Sequence, residues 1–205
     1  MPKSLAHQRT DRAIIQAFIT LSAQIPFEKM TVQNIMEEAL VSRHTFYAHF
    51  HDKYEIAERL QEELYEKFLD FMQKRIPKID SPAPQYPILD AAIWEFSLQS
   101  HDKLRAIQHI HTETIDLFGK IRQYIVNHYQ ECFPKHENLP LEASIYAGMV
   151  TAAMEYFVQN ASFLPGTDIS RPLLQCYIHA ALFAIGIHDE KKAEKAETFL
   201  SDLAH

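Results

Sequence analysis

A cluster of hydrogen-bonding side chains between residues 42 and 49 is the part of the sequence best suited to chemistry on another molecule. It offers hydroxyls, a guanidinium, imidazoles and a phenol, contributed by Ser42, Arg43, His44, Thr45, Tyr47 and His49. Such groups form hydrogen bonds with the base edges and phosphate oxygens of DNA. Phe46 and Phe50 give the same segment an apolar side. The pattern therefore indicates a short helix with one buried face and one face that reads DNA.

Three predicted helices position this cluster, and the sequence indicates where each of them begins. Apolar residues at helical spacing predict a first short helix that begins near Thr31. They are Val32, Ile35, Met36 and Ala39. Ser42 lies where the N-cap of a second short helix belongs, and Asp52 with Glu55 predicts a capping box at the start of a longer helix. Two short helices joined by a tight turn and followed by a long helix are typical of a helix-turn-helix that reads DNA.

This arrangement resembles the DNA-binding domain of the tetracycline-repressor (TetR) family of bacterial regulators. The resemblance rests on Phe27, Thr31, Val32, Ile35, Ala39, Val41, Ser42, Thr45, Phe46, Tyr47, His49, Phe50, Asp52 and Lys53. It implies an all-α fold, with an N-terminal three-helix helix-turn-helix domain and a C-terminal helical domain for ligand binding and dimerisation. One position departs from the family: Leu40 stands in the turn where the family has Gly, a residue that adopts positive φ easily.

Eight residues are predicted to contact DNA. They are Thr31, Ser42, Arg43, His44, Thr45, Tyr47, His49 and Lys53. We expect residues 42–45 to reach base edges, whereas Tyr47, His49 and Lys53 hold phosphates, helped by the amino end of the long helix. The predicted partner is double-stranded DNA with a palindromic operator.

The charge of the chain is unevenly distributed. The net charge is −7, yet residues 1–55 contain six lysines and arginines against six aspartates and glutamates. The remaining residues therefore carry the whole negative excess. A neutral DNA-binding half predicts modest affinity and a shallow dependence of that affinity on salt.

The rest of the chain shows apolar residues at helical spacing. The first helix is predicted to start at Thr10 or Asp11, after a loose arm over residues 1–9. Further helices are predicted over residues 53–76, 141–163 and 172–187, with three shorter helical patterns between 88 and 133. We divide the chain into a DNA-binding domain over residues 1–52 and a helical effector-binding and dimerisation domain over residues 53–205.

The two predicted helices over residues 141–163 and 172–187 are apolar around most of their circumference. A helix of this kind must be covered on two sides, and a second subunit provides one cover, although burial within the chain is an alternative. The resemblance implies the same pairing, because the last two long helices of this family form a four-helix bundle with their symmetry mates. The predicted dimer interface contains Met149, Ala153, Tyr177, Ala181 and Ile185.

A small-molecule effector of unknown identity is expected in the C-terminal domain, where the family binds its ligands. Candidate lining residues are Trp94, His101, His109, Phe118 and Glu155. Glu155 interrupts the apolar pattern of its predicted helix. Ordinary core or surface positions are the alternative for each of these residues.

Other chemistries are disfavoured by the sequence. His109 and His111 stand two residues apart on a predicted helix, so their imidazoles point in different directions, and the cysteines lack zinc spacing. Neither a glycine-rich phosphate loop nor a nucleophile elbow occurs. We therefore predict no enzymatic activity, no metal site and no cofactor. Because the sequence has neither a membrane-length apolar stretch nor an apolar signal core, we expect a cytoplasmic protein without membrane contact.

Together these patterns predict a homodimeric transcriptional regulator, a repressor that a small-molecule effector releases from its operator. The alternative is a helical adaptor or co-activator that works through protein contacts and binds DNA weakly. The neutral DNA-binding half and the unusual Leu40 keep this alternative open.

Overall fold

The computed structural model describes residues 5–75, 95–132 and 138–160. Every regular element in these ranges is helical, which confirms the predicted all-α class. The helices are α1 (Leu5–Ser22), α2 (Val32–Glu38), α3 (Arg43–Tyr47), α4 (Lys53–Arg75), α5 (95–99), α6 (His101–Ile107), α7 (Leu117–Cys132) and α8 (Leu139–Gln159), with a 3₁₀ turn at Phe27–Lys29. The predicted helix over residues 172–187 lies outside the described residues. No helix in the described ranges is long and apolar enough to cross a membrane.

Helix α1 begins at Leu5, earlier than the predicted start at Thr10 or Asp11. The Thr10 hydroxyl donates to the carbonyl of Ala6 at 3.2 Å, a bond made by residues inside a helix. An N-cap side chain instead accepts a hydrogen bond from the backbone, so Thr10 does not start the helix. The prediction of a loose arm is therefore wrong for residues 5–9, which contain neither proline nor glycine.

The first three helices pack around one apolar core. The side chains of Ile14 and Phe18 on α1, Ile35 on α2 and Phe46 on α3 are fully buried, and Phe50 is nearly so. The core continues without interruption through α4 into α6, α7 and α8. Because α6 contacts α1, α4 and α8, it joins the two halves of the chain. The division into two domains after residue 52 stays a prediction.

Helix α4 connects the two halves through an apolar face and a polar face. Its apolar face is buried along its length, at Ile56, Leu60, Leu64, Phe68, Phe71 and Met72. The polar face binds the segment between α6 and α7. Gln61 donates from Nε2 to the carbonyl of Thr114 at 2.9 Å and accepts from the backbone N–H of Asp116 at 2.7 Å. The hydroxyl of Thr114 donates to Glu58 at 2.6 Å. We call these contacts of Glu58 and Gln61 with Thr114 and Asp116 the α4 clasp.

The turn between α2 and α3 has a left-handed residue. Leu40 has φ of 54°, and its side chain is 93% exposed. The N–H of Leu40 donates to the carbonyl of Glu37 at 3.2 Å, and the N–H of Val41 donates to the carbonyl of Met36 at 3.1 Å. These two bonds form a Schellman motif, which normally has Gly at the left-handed position. The turn therefore keeps the geometry typical of glycine although it carries leucine.

Replacing Leu40 with Gly is expected to stabilise the protein by roughly 0.5–1 kcal/mol. Relief of the left-handed conformation contributes about 1–2 kcal/mol, and the larger unfolded-state entropy of Gly removes about 0.4–1 kcal/mol. The exposed leucine side chain has little packing to lose. Thermal unfolding measures the effect. Leu40→Ala is the matched control, because it removes the side chain and keeps the strain. A Gly variant that melts at or below the temperature of the Ala variant would show that the turn is not strained.

Candidate nucleic-acid interface

Helix α3 is held by its aromatic side and exposes the opposite side. The rings of Phe46 and Phe50 lie in the core, with ring centroids 6.3 Å apart. Arg43 and His44 are exposed, and the side chain of Tyr47 is 45% exposed. The Arg43 guanidinium lies 5.6 Å from the centre of the Tyr47 ring. One surface thus presents a cation, an imidazole and a phenol, which can bind base edges and phosphate oxygens.

The hydroxyl groups predicted to contact DNA take part in helix capping. Ser42 caps α3, because its Oγ accepts from the N–H of Thr45 at 3.1 Å and lies 2.8 Å from the Thr45 hydroxyl. Thr31 caps α2 in a capping box with Asn34. The Thr31 hydroxyl also donates to Asn34 Oδ1 at 2.6 Å. In this structure these hydroxyls define where α2 and α3 begin, and whether they also reach DNA stays a prediction.

The ammonium group of Lys53 binds the protein's own backbone. It donates to the carbonyls of Phe27 at 2.6 Å, Glu28 at 3.3 Å and Met30 at 3.0 Å. It also lies 4.5 Å from the centre of the Phe27 ring. An ammonium group has three donors, and all three have acceptors here. Lys53 therefore attaches the 3₁₀ turn before α2 to the start of α4.

The amino end of α4 is occupied by a carboxylate. Asp52 Oδ1 accepts from the N–H groups of Tyr54 at 2.8 Å and Glu55 at 2.9 Å, which confirms the predicted helix start. Glu55 accepts from the N–H of His51 at 2.6 Å, one residue before the position that a capping box would use. The Asp52 carboxylate at this helix end repels a phosphate. This differs from the expectation that the amino end of α4 assists phosphate binding.

His49 faces the protein and not the exposed side of α3. Its Nδ1 lies 2.6 Å from Asp11 Oδ1, and its side chain is 8% exposed. The prediction that His49 holds a phosphate remains untested, but the ring is directed towards α1.

Tyr54, which the sequence analysis did not select, is as exposed as Tyr47 and lies at the first turn of α4. The sequence signal that could have identified Tyr54 is a tyrosine beside Lys53 at a predicted helix start.

Comparisons with known proteins agree with this geometry. A family model described as "Bacterial regulatory proteins, tetR family" matches residues 14–60, which include α2, α3 and the start of α4. Residues 14–60 are thus similar to the helix-turn-helix segment of the tetR family. The protein is a TetR-like DNA-binding transcription regulator.

The fold beyond the matched segment is also similar to solved structures. One is the fatty acid degradation regulator FadR from Bacillus halodurans, at 16% identity and a TM-score of 0.62, covering 85% of this chain and 95% of that one. Another is a gamma-butyrolactone receptor (ArpA-like protein), at 16% identity and a TM-score of 0.57, covering 83% and 95%. Identities this low show a shared fold alone. No curated protein matches the sequence.

The residues predicted to line an effector pocket occupy different environments in the structure. Phe118 is buried in the core, His109 is exposed, and His101 and Glu155 are half-buried. Trp94 lies outside the described residues. Among the described residues, His101 Nε2 and Gln108 Oε1 are buried without a hydrogen-bond partner. Gln108 was missed by the sequence analysis, although a glutamine within the apolar pattern of residues 104–110 was the available signal.

One histidine of α7 has a shifted pKa. Burial lowers the pKa of His128 below its ordinary value of 6.5, and the charge of Glu131 opposes this shift. The neutral imidazole is therefore favoured near neutral pH. Its ring stacks on Tyr124, with centroids 6.1 Å apart.

Helix α8 has an exposed apolar side. The exposed large side chains are Leu141, Ile145 and Tyr156, and they are separated by whole helical turns. The predicted interface residues Met149 and Ala153 are half-buried. The other predicted interface residues, Tyr177, Ala181 and Ile185, lie outside the described residues. The apolar side of α8 fits the predicted subunit contact, which no observation here tests.

Replacing Lys53 with Met is expected to destabilise the protein by about 1.5–3 kcal/mol, the range for hydrogen bonds to charged groups. The variant keeps the aliphatic stem and removes the ammonium donor from three carbonyls, of which that of Phe27 still accepts from the N–H of Met30. Thermal unfolding measures the loss. Lys29→Met is the matched control, because Lys29 lies exposed in the same 3₁₀ turn and has the same charge. If Lys53→Met melts like the control and binds DNA more weakly, Lys53 contacts phosphate and does not hold the turn.

Proposed function

We propose that the protein is a homodimeric repressor that places α3 of each subunit in the major groove of a palindromic operator. The observation that carries this proposal is the outward surface of Arg43, His44 and Tyr47, fixed from behind by the buried rings of Phe46 and Phe50. Two such surfaces related by a two-fold axis match half-sites about 34–36 Å apart, or a multiple of that distance.

Within this proposal the predicted DNA-contact residues have two kinds of role. Arg43 and His44 reach base edges and Tyr47 donates to a phosphate, because their side chains are exposed. Lys53 acts on DNA binding through the 3₁₀ turn that it holds. His49 acts through its contact with α1. Ser42, Thr45 and Thr31 set the start of each short helix, and their hydroxyls can add contacts when DNA is bound.

The proposed dimer uses the exposed apolar side of α8. Leu141, Ile145 and Tyr156 expose large apolar side chains on one side of the helix, and such exposed apolar surface marks sites of protein contact. The small exposed residue Ala152 lets a second helix approach this side closely. The same helix packs on α7 with its opposite side, where Ala147 and Met154 are buried. A helix with apolar residues on both sides is best covered by a second copy.

The proposed effector acts through α6 and the α4 clasp. The buried polar atoms His101 Nε2 and Gln108 Oε1 lie at the two ends of α6. A ligand that forms a hydrogen bond with either atom favours one placement of α6 over another. Because α6 contacts both α1 and α4, this preference reaches both helices. The printed name of one similar structure is a gamma-butyrolactone receptor, which supports a small-molecule ligand. The ligand shifts the two states only by its different affinity for them.

A second candidate function is a helical adaptor that binds DNA weakly. The exposed Leu40 at the helix-turn-helix and the absence of net charge in residues 1–55 favour it. A gel shift on the region upstream of the protein's own gene separates the two functions. A discrete complex that survives excess nonspecific DNA supports the repressor. Binding that vanishes with competitor DNA supports the adaptor.

The roles of His44 and Tyr47 are expected to differ in kind. His44→Ala should change the preference for one base pair by about 1–3 kcal/mol. Tyr47→Phe should weaken all operators about equally, because a phosphate contact carries no base information. Titrations against a matched set of single-base operator variants measure both effects. Both side chains are exposed, so unchanged melting temperatures confirm intact folds. The reverse pattern would mean that α3 is docked wrongly.

Replacing Ile145 with Glu is expected to convert the dimer into a monomer, because a buried carboxylate without a partner is costly. Light scattering after size exclusion measures the molecular mass. Gln123→Glu, which adds the same charge at an exposed position of α7, is the control and should remain a dimer. A dimeric Ile145→Glu protein would place the subunit contact elsewhere.

A further inference from the structure

Two imidazoles and a carboxylate meet where α1 contacts the turn between α3 and α4. His49 Nδ1 lies 2.6 Å from Asp11 Oδ1, and His7 Nε2 lies 3.7 Å from the same oxygen. One nitrogen from each histidine and an oxygen of Asp11 all fall within 4.8 Å of one another. The site thus gathers three metal-ligating side chains from two separate parts of the chain.

The surroundings of this cluster limit access to one direction. The side chains of Asp11 and His49 are 13% and 8% exposed, whereas that of His7 is 30% exposed. Behind the carboxylate, Arg59 NH1 lies 3.2 Å from Asp11 Oδ2. The guanidinium thus forms an ion pair with one oxygen of Asp11, and the other oxygen faces the two imidazoles. A solute can therefore reach the ligating atoms from the side of His7.

We propose that His7, Asp11 and His49 bind a divalent transition-metal ion such as Zn²⁺. Two imidazole nitrogens and one carboxylate oxygen are ligands for zinc and its neighbours in the first transition series, whereas Mg²⁺ and Ca²⁺ prefer oxygen alone. Three protein ligands leave a fourth position for water. Arg59 acts as an outer-shell partner through its ion pair with the carboxylate.

Coordination requires a small rearrangement of the two rings. They are stacked, with centroids 3.9 Å apart and planes 20° apart. Lone pairs lie in the ring planes, so the rings must splay before both nitrogens point to one ion. Ligating atoms about 2.0–2.2 Å from a tetrahedral ion lie about 3.4 Å apart. Because the three ligating atoms now lie within 4.8 Å of one another, any two of them need to approach by about 1–1.5 Å at most. Rotation about the soft χ2 torsion of histidine can provide this movement.

A bound ion would connect elements that are distant in sequence. His49 is 38 residues from Asp11, so the ion would fasten the first two turns of α1 to the turn between α3 and α4. This is why spacing alone predicted no metal site: only the i, i+4 pair of His7 and Asp11 is visible as a pattern. Binding requires neutral imidazoles and an ionised carboxylate, so acid should release the ion.

Metal titrations of the full chain, freed of metal by a chelator, test the proposal. Zn²⁺ should raise the melting temperature, and Co²⁺ should give the visible absorption of a low-symmetry site. His7→Phe keeps a ring on His49 and removes one ligand, so it should weaken Zn²⁺ binding by more than about 100-fold, beyond the 10–100-fold cost of losing an outer-shell partner. His51→Phe is the matched control, since His51 is exposed and outside the cluster; it should bind like wild type.

Two results would overturn the proposal. One is wild-type protein that gains neither stability from Zn²⁺ nor visible absorption from Co²⁺, which would leave the cluster as a hydrogen-bonded contact. The other is equal binding by wild type and His7→Phe, which would place the ion on other histidines. X-ray absorption of the Zn²⁺-loaded wild type provides a measurement that needs no variant. Two imidazole ligands support the site, and fewer than two contradict it.

Discussion

The burial of two phenylalanines is the interaction on which the DNA-reading surface depends. Helix α3 has five residues, far fewer than an isolated helix needs to form in water. Its conformation therefore comes from Phe46 and Phe50, which lie in the core, and from the Ser42 cap. Because these contacts fix the inner side of α3, they also fix the direction of Arg43, His44 and Tyr47.

Polar groups around α3 divide between those that build the domain and those that face outward. The ammonium of Lys53, the carboxylate of Asp52 and the imidazole of His49 all bind groups of the protein. Each of them connects an element to one distant in sequence or closes a helix end. Because the Lys53 ammonium binds the protein's own backbone, this domain without net charge has one cation fewer to release counterions from DNA. This agrees with the shallow salt dependence expected from composition.

Sequence patterns predicted the class of fold and the positions of the helix-turn-helix because local signals set them. The caps at Thr31, Ser42 and Asp52 act within three residues, and all three are present in the structure. The uses of Lys53 and His49 could not be predicted, because their partners lie 26 and 38 residues away in sequence. The pocket residues also depend on tertiary packing, which periodicity does not encode. At Leu40 the family pattern left two alternatives, a different turn or a strained left-handed one, and the structure has the positive φ of the second.

The α4 clasp limits how a signal can pass between the two halves. Gln61 is 2% exposed and satisfies two backbone groups of the segment between α6 and α7. Sliding α4 along this segment would leave buried polar groups unpaired, at about 1–3 kcal/mol each. A rotation that carries α4 together with residues 108–116 breaks none of these bonds. The effector in our proposal therefore has to act on α6 and its following segment, because α4 moves only where they move.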